Sequence, residues 1–174
     1  MIRKADVKDI AEIGKTYTEL LLHEAEQGGY SNWRLGVYPT EKTAEDAVAR
    51  GTMFVLEEEG EICASMVLNQ SQAAEYASIP WEYEAEPEEV LVIHTLCIPP
   101  SKAGRGYGKQ MAAYAKKYAL DMGLKVMRID TFSGNEPAKG LYQKNGFRIA
   151  GYAHVLHEGV IEEELVYLEC RMLT

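Results

Sequence analysis

Gly104-Arg105-Gly106-Tyr107-Gly108 sets three glycines within five residues, between an apolar run and a helical pattern. Backbone without side chains can approach an anion closely, and the free N–H groups that open a helix point at it with a favourable dipole. That chemistry suits a pyrophosphate. A bare strand-to-helix turn is the competing use, but three glycines are a conformationally costly way to make one. A second signature follows about thirty positions later. It comprises Asn135, Ala138, Leu141, Tyr142, Lys144, Gly146 and Phe147.

Regular elements must hold both groups in place. Ile2 to Ala5 reads as a strand, and Asp6 as the N-cap of a helix with Ile10, Ile13, Tyr17, Leu20 and Leu21 on one face. Gln27-Gly28-Gly29-Tyr30 ends that helix, and an irregular aromatic loop, Ser31 to Thr40, leads to a second helix beginning at Thr40 or Thr43 and ending near Arg50. Met53 to Glu57 and Glu61 to Leu68 form an antiparallel pair across Glu58-Glu59-Gly60. Asn69 to Glu89 shows no clear period, and Val90 to Ile98 is the central strand, stopped by Pro99-Pro100. Gly106 to Met122 is helical with Gly123 as its stop; Lys125 to Thr131 is a strand; Asn135 to Lys144 is a short helix with Pro137 near its start. Phe147 to Leu156 and Val160 to Met172 close the chain as a hairpin across His157-Glu158-Gly159. The order β-α-α-β-β-β-α-β-α-β-β implies an α/β fold: a mixed, mostly antiparallel central sheet flanked by helices.

The bulk numbers fit a single domain spanning residues 1–174, with 47% hydrophobic and 26% charged residues. No apolar run is long enough for a membrane span, and Met1 to Asp6 begins no secretory signal, so no membrane partner and a cytoplasmic location are expected. Cys63, Cys97 and Cys170 make neither a disulfide framework nor a metal knuckle, so no metal is expected. A formal net charge of −9 argues against nucleic acid as a partner. Glu82, Glu84, Glu86, Glu88 and Glu89, just before the central strand, could draw in a cationic substrate, or could simply be a solvated loop.

The chain resembles the GCN5-related N-acetyltransferase (GNAT) superfamily over essentially its whole length. Leu96-x-Ile98-x-Pro100 followed by Gly104 to Gly108 is similar to the family's acetyl-CoA motif, and Asn135 to Phe147 is similar to its second motif. Where the family often has Gln or Arg, this chain has Ala103, so the cofactor must be held more by backbone, with Lys102 or Lys109 supplying compensating charge. The resemblance implies acetyl-CoA as acyl donor, held by Leu96, Ile98, Gly104, Arg105, Gly106, Tyr107, Gly108, Lys109, Asn135 and Lys144. It also implies that the Leu96 N–H faces the thioester oxygen, an oxyanion role.

Transfer to an amine needs a base, because an alkylammonium of pKa about 10 is protonated at neutral pH. His94 is the first candidate, two residues from Leu96 and so on its face if strand alternation holds; a core histidine is the alternative. Asp130, five residues before Asn135, is the second, where related acetyltransferases of ribosomal proteins carry a glutamate; capping a neighbouring loop or helix is its structural alternative. Glu82, Glu84 and Glu89 are further candidates acting through water, and sequence makes no choice among them. Tyr142 is the candidate acid for the departing thiolate, or else a packing tyrosine beside Leu141. Cys97 has no Cys-His-acid arrangement, so direct attack is expected rather than a covalent acyl-cysteine.

These expectations describe an enzyme that acetylates a primary amine of a small molecule or peptide. The loops Ser31 to Thr40 and Gln70 to Glu89, with Trp33, Tyr38, Tyr76, Trp81 and Tyr83, would shape the acceptor pocket. The rival class is a non-catalytic acyl-CoA-binding regulatory module. The C-terminal hairpin also offers an edge that could pair in a homodimer.

Overall fold

Period and punctuation convert into elements in the expected order. The computed structural model describes residues 1–173 and holds seven strands and four α-helices among them. They are β1 (Ile2–Lys4), α1 (Ile10–Gln27), α2 (Glu41–Ala49), β2 (Met53–Glu58), β3 (Glu61–Asn69), β4 (Val90–Cys97), α3 (Tyr107–Asp121), β5 (Val126–Phe132), α4 (Glu136–Lys144), β6 (Arg148–His157) and β7 (Ile161–Arg171). The sheet order is β1-β2-β3-β4-β5-β7-β6. Its β4–β5 pair is parallel, and its crossover is α3, because parallel neighbours cannot be joined by a tight turn.

Two compact units divide the chain. The first takes Met1–Gly29, Trp33–Leu68 and Thr95–Met111. Within it β1 pairs antiparallel with β2, and β2 with β3. The β2–β3 turn needs left-handed backbone at Glu59 (φ 51°) and Gly60 (φ 79°), which is why a glycine stands there. Ile13, Tyr17 and Leu21 recur at helical spacing on α1 and are buried; Ile13 and Tyr17 share a core with Ala44, Met53, Val55 and Cys97. Asp6 caps a 3₁₀ turn ahead of α1, accepting from the Lys8 amide at 3.0 Å. Of the two threonines proposed to start α2, Thr40 is the cap, and its amide donates to the Thr43 hydroxyl at 3.0 Å.

The second unit takes Tyr30–Asn32, Asn69–His94 and Ala112–Thr174. β4 pairs with β5 from Val90↔Val126 to Ile93↔Ile129, and β7 is antiparallel to both β5 and β6. The β6–β7 register shifts between Ile149 and Gly151. At Gly151 a Cβ would lie 3.0 Å from Pro80, so a side chain there would press on the segment packed over the sheet.

That segment, which shows no period in sequence, is ordered by the sheet face beneath it. Tyr76 and Ile79 join Val90, Val92, Val126 and Tyr167 in a core of their own. The Trp81 indole donates to the Tyr76 carbonyl at 2.8 Å, and the buried Glu169 carboxylate accepts from the Glu82 and Tyr83 amides at 2.8 and 2.9 Å.

Candidate functional site

In the first unit, the chain leaves β4 through Pro99 and a 3₁₀ turn and enters α3 by way of left-handed Gly104 (φ 75°) and Gly106 (φ 79°). A Cβ at either glycine would meet no heavy atom within 4 Å, so the backbone conformation, not crowding, requires glycine. The amides from Gly104 to Lys109 have no backbone acceptor among the described residues; the ladder begins with the Gln110 amide on the Gly106 carbonyl. Open donors at the mouth of a 15-residue helix fit a pyrophosphate.

Side chains set the shape of this turn. The Glu19 carboxylate accepts from the Ser101 amide at 2.7 Å and from its hydroxyl at 3.0 Å. Buried Tyr107 donates to Glu58 at 2.7 Å, a bond that pushes its phenol up to about 12. Lys102 is held in an ion pair by Glu61, leaving exposed Lys109 and Arg105 as the positive charge for an incoming anion. Ile98 and Leu96 are half-buried and Gly108 is buried.

The geometry of β4 corrects one step of the sequence reasoning. Thr95 has φ 51°, so the regular alternation that would put His94 and Leu96 on one face is broken between them. Tyr38, from the aromatic loop, hydrogen-bonds the Thr95 hydroxyl and stacks edge-on against Trp33. His94 itself lies 2.7 Å from the Asn69 side chain through Nε2, and burial lowers its pKa to about 4. It is a neutral ring and a weak base.

Asp130 has the stronger claim to that role. It lies inside β5 and caps no helix, while its Oδ2 accepts at 2.6 Å from the hydroxyl of Tyr76 in the neighbouring 69–89 segment, a tie to a loop that its structural alternative also called for. Burial pushes its carboxyl above the usual range, against the lowering effect of the Tyr76 bond and of His157 nearby. A carboxylate moved upward is closer to what proton abstraction near neutral pH requires. Tyr142, on α4, is 2% exposed and packs its ring against Phe147 at 5.4 Å. Burial first, then the charge of Asp130, holds its phenol well above the ordinary tyrosine range. The hydroxyl stays protonated and has no hydrogen-bond partner among the described residues. Asn135 caps α4, accepting from the Ala138 amide at 3.1 Å, and Lys144 is exposed in its last turn, where the helix dipole favours a cation.

Also in the second unit is an open-sided cavity of about 550 Å³ lined by residues between Gln72 and Pro87. Arg128 lines it, 6% exposed and absent from the sequence reading. The clue was a cation inside the otherwise apolar start of β5, Val126-Met127-Arg128-Ile129. Two carboxylates of the acidic run beside it are paired: Glu82 bridges to Arg148 at 3.0 Å, and Glu89 pairs with Lys125 and accepts from the Glu86 amide. Among the described residues no group of three or more His, Cys, Asp or Glu is placed to hold a metal ion, and no helix is long and apolar enough to cross a membrane.

Comparison with known proteins gives this arrangement a family. The model of the acetyltransferase (GNAT) family matches residues 18–147, most of the chain. The chain belongs to that family. A stretch of 71 residues, 41% of this chain, is 35% identical to streptothricin acetyltransferase of Escherichia coli. That match covers 37% of the relative, so the chain spans little more than a third of its length. An acetyltransferase of the GNAT family from Streptococcus agalactiae 2603 superposes with a TM-score of 0.77 at 20% identity, over 100% of this chain and 96% of that one. A GNAT superfamily phosphinothricin acetyltransferase from Sinorhizobium meliloti, solved in complex with AcCoA, gives 0.71 at 15% identity, over 99% and 88% of the two chains. These two likenesses establish the fold.

Proposed function

We propose that this protein is an acetyl-CoA-dependent N-acetyltransferase, one domain over residues 1–174, that acetylates a primary amine of a small molecule or peptide in the cytoplasm. The observation that carries the reading is the run of open amides from Gly104 to Lys109 in a chain of the GNAT family. The structure of a family member with AcCoA bound supports the choice of donor.

In this reading the Gly104–Lys109 amides, with Arg105 and Lys109, hold the pyrophosphate, and Asn135 and Lys144 contribute to the grip on the donor. Asp130 takes a proton from the ammonium of the acceptor, freeing its lone pair for direct attack on the acetyl carbonyl. The Leu96 N–H donates to the oxygen on which negative charge develops. As the carbon–sulfur bond breaks, Tyr142 donates to the leaving thiolate, whose thiol resembles that of cysteine with a pKa of ~8.5. The β6 edge, with Tyr152 and Leu156 exposed, is where a second copy would pair in a homodimer.

The test is release of the coenzyme A thiol in the presence of acetyl-CoA and a panel of amines, polyamines, amino acids and peptides. Acetylation of at least one class, with one thiol released per acetyl group transferred, is expected. Saturable acetyl-CoA binding without transfer to any of them would make the protein a non-catalytic acyl-CoA-binding module instead.

A further inference from the structure

Arg128 is a buried cation without an ion-pair partner. It is 6% exposed, yet no carboxylate lies within ion-pair distance of it among the described residues. Its Nη1 donates to the Gln72 side chain at 2.7 Å and its Nη2 to the Tyr83 carbonyl at 3.1 Å, while its Nε, fully buried, has no partner. Glu169, its register neighbour on β7, offsets part of the charge through space, but it makes no ion pair with Arg128, its oxygens already accepting from two backbone amides and from Arg148. The guanidinium lies over the Trp81 ring at 4.2 Å, which fixes its plane. Burying a charge in this way is costly unless something compensates it.

The cavity that Arg128 lines is of a size that takes small ligands, with Tyr76 and Trp81 supplying its aromatic wall. Tyr76 also connects it to the proposed base. Its ring lines the cavity and its hydroxyl donates to Asp130. Arg128 and Asp130 are two residues apart on β5 and so on one face of the strand, their Cα atoms about 7 Å apart along it. A ligand that satisfies both has an anionic group at Arg128 and an amine directed at Asp130. Glu84, exposed and also lining the cavity, would repel a bare anion but favours a molecule that carries an ammonium as well.

We propose that this cavity is the carboxylate subsite of the acyl acceptor, so that the substrate is a small amino carboxylate whose acid group pairs with Arg128. The proposal rests on the acetyltransferase reading and narrows it from amines in general. It also makes the acceptor zwitterionic, where the acidic run alone suggested a cation.

The experiment compares glycine, β-alanine, γ-aminobutyrate and lysine with their carboxamides as acceptors, using wild-type protein, Arg128→Gln and Arg128→Lys. For at least one acid, wild-type kcat/KM is expected to exceed that of its carboxamide by at least ~10-fold. Arg128→Gln is expected to reduce that ratio by ~10–100-fold, and Arg128→Lys by less, since it keeps the charge but not the fork. Carboxamides used as well as the acids by the wild type, or an unchanged ratio in Arg128→Gln, would overturn the proposal. Melting curves establish that the variants fold, and if Arg128→Gln does not, the wild-type and Arg128→Lys ratios decide. If no amine is acetylated, the acetyltransferase reading fails by itself. Calorimetry of the same four acids without acetyl-CoA then decides the subsite: saturable binding weakened in Arg128→Lys upholds it, and none in the wild type refutes it.

Discussion

His94 and Asp130 were the leading candidates for the base in the sequence, and their environments separate them. Burial lowers His94 to about 4 and raises Asp130, so one loses basicity and the other gains it. Sequence could not rank them, because both shifts come from burial, which only the tertiary fold sets, and the side chains each group meets, Tyr76 for Asp130 and Asn69 for His94, are distant along the chain. Nor could alternation reveal the left-handed Thr95, since nothing about a threonine announces positive φ. Tyr142 was legible from its motif, and its burial adds a reason for it to remain protonated. Tyr142→Phe is expected to lower kcat by ~100-fold or more while leaving the acetyl-CoA dissociation constant unchanged by calorimetry. An unaltered kcat would assign this tyrosine to packing against Phe147.

At the scale of the element, the turn into α3 was the most legible part of the chain, because left-handed backbone is a local demand that glycine alone meets without strain. Gly106→Ala is expected to destabilise the fold by about 1–2 kcal/mol through its φ of 79°. Gly106→Asp adds a carboxylate where the open amides await an anion, and is expected to weaken acetyl-CoA binding by ~100-fold or more. Calorimetry on the two variants checks the contrast; equal affinities for acetyl-CoA would place the cofactor elsewhere. The stretch from Asn69 to Glu89 was illegible for the opposite reason. Its order comes from Glu169, Arg128 and Tyr167 on the sheet, and no local period records such contacts.

At the scale of the whole molecule, element order and a mostly antiparallel sheet were readable from period and turn chemistry, whereas the Arg128 cavity required tertiary structure. The buried histidine also gives the fold an acid sensitivity. His94 is about 4 when folded against ~6.5 when unfolded, so the unfolded chain binds a proton that the native one does not. Its contribution is fully present above pH ~6.5 and declines by about 3 kcal/mol as pH falls toward 4. Asp130, raised in the fold, works in the opposite sense at the acid end. Denaturant unfolding of wild type and His94→Gln between pH 7 and ~4 isolates the histidine; the difference between them should narrow as pH falls. A constant difference would mean that His94 titrates normally.

The pH dependence of kcat/KM for acetyl transfer, measured in wild type and Asp130→Asn, tests the catalytic assignment most directly. The wild-type rate is expected to rise with pH as Asp130 ionises, with an inflection above the ordinary carboxylate pKa of ~3.9, and that inflection should vanish in Asp130→Asn together with at least ~100-fold in rate. Superimposable profiles of similar magnitude would contradict it and return the base to another residue.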